Sequence, residues 1–134
     1  MAAQGTAFIH ATSLFPRNMS LAHLDAHEAL INRKDFLNSL GIDVSSLVCC
    51  RQVHSPRLQC VGPADAGRGA FCVASAFPGT DALITGTQRL PLAVFTADCL
   101  PVFFFDPRSP AAGIAHAGWR GVHRGIIQAV VQGM

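Results

Sequence analysis

Charge is scarce in this chain. Asp, Glu, Lys and Arg make up 13% of its 134 residues, about half the usual share, while apolar residues reach 50%. A chain this apolar can bury a core, so disorder is excluded. The few charges nearly cancel, leaving a net +2. Arg51, Arg57, Arg68, Arg89, Arg108, Arg120 and Arg124 are scattered, with no Lys/Arg cluster, which argues against nucleic acid as a partner. Long apolar runs are missing too. The most apolar stretch, Leu90 to Phe105, is interrupted by Pro91, Asp98 and Pro101, so it cannot span a membrane, and no membrane partner is expected. Met1 to His10 has no basic segment followed by an apolar one, so no secretory leader is read there. The five cysteines are odd in number, none forms a C-x-x-C pair, and Cys49 and Cys50 are adjacent. That pattern argues against a disulfide framework and for a reducing, cytoplasmic setting.

What is present reads as one domain. No repeat, low-complexity tract or linker divides the chain. Leu30, Leu37 and Leu40 recur at near-helical spacing within a helix expected over Leu21 to Leu40, which Gly41 is placed to end. Strands are expected over Leu47 to His54, Arg57 to Val61, Asp81 to Thr85 and Leu92 to Thr96, with a Gly/Pro/Asp loop at Gly62 to Gly69. Val102 to Phe105 and Ala111 to Ala115 flank the strong turn sequence Asp106-Pro107-Arg108-Ser109-Pro110, which predicts an antiparallel hairpin. A single helix is expected from Trp119 onward, with Ile126, Ile127, Val130 and Val131 as its apolar stripe. It has no closing polar tail, which points to truncation. The expectation is therefore a single α+β domain over residues 1–134, a mixed or antiparallel β-sheet core flanked by helices, incomplete at its C-terminus. The low charge fits a surface partly covered by further polypeptide or a partner.

The hairpin brings chemistry together. A turn centred near Arg108 places Cys99 beside His116, within one residue of register, at the open end of the ladder. A thiolate and an imidazole there are close enough to share one metal ion. His54, in Gln52-Val53-His54-Ser55 at another strand end, is the candidate third ligand. Three protein ligands with a fourth place open are the pattern of a catalytic zinc, which activates water at neutral pH. Taken singly, Cys99 reads by default as a buried core thiol, a reading that the adjacent Asp98 and the opposed His116 weaken, and His54 and His116 read equally as core histidines bonded to carbonyls. His23 and His27, with Asp25 between them, lack the glutamate of a His-Glu-x-x-His motif and read as a solvated helix face.

The segments "RQVHS", "GTDALIT", "TADCLP" followed by "VFFFDP", and "AHAGWRG" resemble, in order, the signature segments of the laccase-domain family, also called the multicopper polyphenol oxidoreductase family. The upstream "NMSLAHLDAHEALINRKDFLNSLGID" is similar to its first helix. The resemblance implies a cytosolic enzyme of the purine nucleoside phosphorylase type, taking adenosine, inosine, guanosine and methylthioadenosine with phosphate, and deaminating adenosine. It implies zinc held by His54, Cys99 and His116. Members of that family continue into a second, Gly-Pro-Cys-rich portion, so the resemblance also implies that this chain is C-terminally truncated.

Other roles follow from residue type. Arg120, close after His116, is the candidate phosphate ligand, because Arg51 alternates away from His54 on a strand. Asp98 is the candidate to orient a zinc ligand or to take a proton, with Asp81 able to do similar work. Trp119 is expected to pack beneath the site, His123 to lie on the surface, and Cys49, Cys50, Cys60 and Cys72 to fill apolar space. Three other functions remain open. One is a metal-free cysteine hydrolase using Cys99 and His116. Another is an inactive remnant. The third is polyphenol oxidation by copper, disfavoured because the six histidines include no H-x-H pair.

Overall fold

The computed structural model describes residues 7–13, 18–22 and 26–134. His23 and Asp25 fall outside them, so the helical pair His23/His27 is not placed. The fold is a single α+β domain with mixed parallel and antiparallel sheets between helices. Helix α1 (Ala26–Ser39) buries Ala29, Arg33 and Leu37, one helical stripe at i, i+4 and i+8. It ends as its glycine predicts. Gly41 sits at φ +70°, Ile42 N–H donates to Leu37 C=O (2.9 Å) and Gly41 N–H to Asn38 C=O (3.0 Å), which satisfies the last carbonyls in a Schellman cap.

Seven strands follow: β1 (Val48–Arg51), β2 (Leu58–Cys60), β3 (Phe77–Pro78), β4 (Ala82–Thr85), β5 (Leu92–Ala93), β6 (Leu100–Asp106) and β7 (Ala111–Ala117). They form a parallel three-stranded sheet, β3-β1-β5, and a four-stranded sheet, β2-β4-β7-β6. In the latter β2 runs parallel to β4, while β7 is antiparallel to both β4 and β6. Alternation along β1 explains how the layers stack. Val48 and Cys50 join Leu83 and Ile114 of the four-stranded sheet in one buried cluster, and Cys49 between them joins Leu37 on the α1 side. The far face of the four-stranded sheet is covered by α3 (Ile126–Gly133), whose Ile126 and Val130 pack against Ala82, Ile84 and Ala115. Among the described residues, Leu47, Val48, Leu83, Ile126 and Val130 are large apolar side chains buried completely, each stabilising the fold by roughly 1.5–3 kcal/mol.

Several expectations change in detail. The hairpin forms, but its closing pair is Asp106↔Ala111 and its ladder opposes Pro101, not Cys99, to His116. The four residues 107–110 all lie in the turn, which moves its centre half a residue beyond Arg108. Cys99 therefore sits just before β6, two residues diagonal to His116 and on the same face. The final helix is two helices, α2 (Trp119–His123) and α3, broken at Gly125, whose φ of +87° no helix accommodates. In the expected stripe Ile126 and Val130 are buried, whereas Val131 is 62% exposed. Trp119 is 74% exposed, not packed beneath the site. Cys60 and Cys72 are exposed, so only Cys49 and Cys50 serve as core fillers. His123 is exposed, as expected. The expected strand at Leu92 to Thr96 is regular only over Leu92–Ala93, because Phe95 turns both its backbone groups to a side chain. Among the described residues no helix is long and apolar enough to cross a membrane.

Candidate metal centre

Three strand ends meet at one corner of the four-stranded sheet. β1 ends at Arg51 and the chain turns through Gln52 to Ser55, β6 begins just after Cys99, and β7 carries His116 near its end. Ligand atoms of His54, Cys99 and His116 lie within 4.8 Å of one another. Cys99 Sγ is 3.9 Å from His54 Nε2, and the two imidazole rings meet edge to face with centroids 4.7 Å apart. His116 is buried, and His54 and Cys99 are half-buried.

Two links hold these segments in place. Gln52 Nε2 donates to Phe95 C=O (2.7 Å), and Phe95 N–H donates to Gln52 Oε1 (2.8 Å), tying the His54 loop to the segment that leads to Cys99. Asp81, wholly buried, lies one residue before β4. Because Ala82 pairs with Ala115, Asp81 falls beside His116. His116 N–H donates to Asp81 C=O (2.8 Å), and His116 Nδ1 lies 2.9 Å from Asp81 Oδ1. The same carboxylate accepts from the backbone N–H groups of Val53, His54 and Ser55. Burial pushes the Asp81 carboxyl up, but the hydrogen bonds from His116, Ser55 and Val53 outweigh it and hold the group well below the usual carboxylate range.

The remaining predicted residues are distributed unequally. Asp98 is exposed and lines the open cleft, of about 1590 Å³, that also takes in His54, Cys99 and His116. It makes no hydrogen bond among the described residues, so the carboxylate that touches a histidine of the cluster is Asp81. Arg120 is exposed, outside the cleft lining, with its guanidinium 5.3 Å from the centroid of the neighbouring Trp119 ring. Gly118 was not singled out from sequence. A Cβ there would lie 2.7 Å from His54 Cδ2 and 3.0 Å from Cys99 Sγ, so only glycine leaves the cluster room. A signal was present, since Gly118 follows His116 at the open end of the hairpin.

The donor set fits a metal ion, and the dimensions of a tetrahedral zinc site give the comparison. Two imidazole nitrogens and a thiolate are usual protein ligands of zinc, and in a tetrahedral site they stand about 3.3–3.6 Å apart. The 3.9 Å separation of Sγ and Nε2 is within a few tenths of that, while the cluster as a whole, spanning up to 4.8 Å, has to close by about 1 Å around an ion. With its Nδ1 turned to Asp81, His116 presents Nε2, the orientation of a metal-binding histidine backed by a carboxylate.

Comparison with known proteins gives this arrangement a context. The profile described as multi-copper polyphenol oxidoreductase laccase matches residues 11–134. The chain belongs to that family. It is 40% identical over 102 residues to the purine nucleoside phosphorylase YlmD of Geobacillus stearothermophilus, a match covering 76% of this chain and 37% of that protein. It is 36% identical over 110 residues to the adenosine deaminase RL5 of an unknown prokaryotic organism, covering 82% and 42%. The crystal structure of the Geobacillus YlmD superposes with a TM-score of 0.83 at 39% identity, covering 86% of this chain and 43% of that one. The Neisseria meningitidis protein NMB0706 superposes with a TM-score of 0.62 at 32% identity, covering 81% and 40%. The chain thus spans less than half the length of these relatives.

Proposed function

We propose that this chain carries the zinc centre of a cytoplasmic purine nucleoside phosphorylase that also deaminates adenosine, with His54, Cys99 and His116 as the ligands. The observation that carries the proposal is the convergence of these three ligand atoms within 4.8 Å in a chain whose relatives include proteins named for both activities. Zinc bound there supplies Lewis-acid activation at a coordination place left to water or substrate. The chain's own residues do the rest. Asp98, at the cleft wall, moves the proton. Arg120, which has no carboxylate partner among the described residues, is the cation for phosphate. The cleft that takes in the centre, with Phe95 and Phe103 also in its lining, offers apolar surface to a purine. Copper is the less suitable metal, because a multicopper cluster needs more histidines than converge here.

The test is phosphate-dependent release of adenine, and ammonia release, from adenosine. It is run on this chain and on a chimera in which it replaces the matching portion of the Geobacillus relative. Turnover in either supports the proposal. No turnover in both, with the relative itself active alongside, sinks it. Turnover in the chimera alone makes this chain an inactive portion of an active fold.

A second reading has one observation in its favour. The hydrogen bond between Asp81 and His116, with the Cys99 sulfur within 4.8 Å of a His116 ring nitrogen, also suits a metal-free cysteine hydrolase. Zinc content separates the two: a protein purified without zinc that also takes up none when zinc is added, and whose Cys99 alkylates rapidly, favours the hydrolase.

A further inference from the structure

The three proposed ligands stand on three separate segments, and no shared helix or strand sets their mutual distance. We infer that Asp81 is the positioning residue that holds both imidazoles as one unit, through a buried carboxylate bonded at once to the His54 loop and to the His116 ring. The inference rests on the metal-centre reading above.

The geometry of the carboxylate carries it. Oδ1 accepts from His116 Nδ1–H and from His54 N–H, both at 2.9 Å. Oδ2 accepts from Ser55 N–H at 2.7 Å and from Ser55 Oγ–H at 2.8 Å. Val53 N–H lies 3.1 Å from one oxygen and 3.2 Å from the other. Three consecutive backbone donors thus wrap one anion. That wrapping places His54 at φ +61°, a backbone conformation a residue with a side chain keeps only where its surroundings impose it. The left-handed turn aims the His54 ring at Cys99 Sγ.

On the other side, a carboxylate accepts and never donates. His116 must therefore carry its proton on Nδ1, which leaves the Nε2 lone pair free for a metal. Asparagine has nearly the same shape and cannot do both. Its amide nitrogen is a donor, and it must face either Ser55 N–H or His116 Nδ1–H, donor against donor. One orientation opens the His54 turn. The other moves the His116 proton to Nε2, where it blocks coordination.

The test has two arms. In the first, zinc affinity is measured by chelator competition for wild type, Asp81→Asn and Asp35→Asn, the last an exposed helix aspartate as control. A tenfold to hundredfold loss is expected for D81N and none for D35N. In the second, nitrogen NMR of wild-type protein prepared without metal reads the His116 tautomer, expected as Nδ1–H. This arm needs neither activity nor a folded variant. Wild-type zinc affinity in folded D81N, or an Nε2–H tautomer in the wild type, overturns the inference. A wild type that binds no zinc sinks the metal-centre reading instead, and the tautomer still decides the role of Asp81.

Discussion

Replacing Gly118 with alanine separates the metal centre from the fold that carries it. Gly118 has φ −74° and ψ 156°, which alanine adopts without strain. Fewer unfolded conformations therefore favour the variant by about 0.4–1 kcal/mol. Against this stands the added methyl group, 2.7 Å from His54 Cδ2 and 3.0 Å from Cys99 Sγ, where carbon atoms normally stand about 3.5–4.0 Å apart. Relieving that overlap moves the imidazole or the thiol by roughly 1 Å, and overpacking of this kind costs about 1–3 kcal/mol. The two terms leave the fold destabilised by about 0–3 kcal/mol. The metal suffers more, because a workable site tolerates ligand displacements of only about 0.2 Å. At least a tenfold loss of zinc affinity is expected, about 1.4 kcal/mol or more. Thermal unfolding with and without zinc, beside chelator competition, measures both effects. At a given zinc concentration the zinc-dependent rise in Tm should shrink by the equivalent of about 1.4 kcal/mol or more, while the metal-free Tm falls by about 0–12 °C. A G118A protein that binds zinc like the wild type refutes the reasoning.

Thiol labelling read by mass spectrometry should divide the cysteines. Burial pushes Cys49 up to about 11 and Cys50 up to about 12, so both should label only on unfolding, while exposed Cys60 and Cys72 react at once. Cys99 should label in metal-free protein and be protected by zinc; equal reactivity of Cys49 and Cys60 contradicts the burial argument. Arg33→Leu should destabilise by roughly 3 kcal/mol or more. Buried Arg33 donates to the carbonyls of Gly69 (2.8 Å), Ala70 (2.6 Å) and Met19 (2.7 Å), and each carbonyl left unpaired costs about 1–3 kcal/mol; a urea midpoint within error of wild type would overturn this. Because the folded-state pKa of Asp81 is depressed, its stabilisation is complete above the unfolded carboxylate value of about 3.9 and is lost as pH falls through the folded value. Urea midpoints should therefore drop below about pH 4 in the wild type and more shallowly in D81N; parallel slopes would show that other groups dominate.

Much of this protein was decided locally, and local decisions are legible. Gly41 ends α1 because the left-handed conformation suits glycine, and Asp106 to Pro110 closes a hairpin because those residues favour a turn. Alternation put Val48 and Cys50 on one face and Cys49 on the other. The residues that converge, His54, Cys99 and His116, could be named from strand ends and one hairpin. Tertiary structure decided what depends on register and long-range packing. A half-residue shift in the turn moved Cys99 from within one residue of register with His116 to two residues away, since opposed positions change with each step of the ladder. Asp81 rather than Asp98 came to touch His116, because β4 happens to lie next to β7, a pairing between segments thirty-odd residues apart that no local propensity encodes. For the same reason the crowding at Gly118 and the left-handed turn at His54 were invisible beforehand: both are imposed by neighbours distant along the chain, and they exist only once those neighbours are in place.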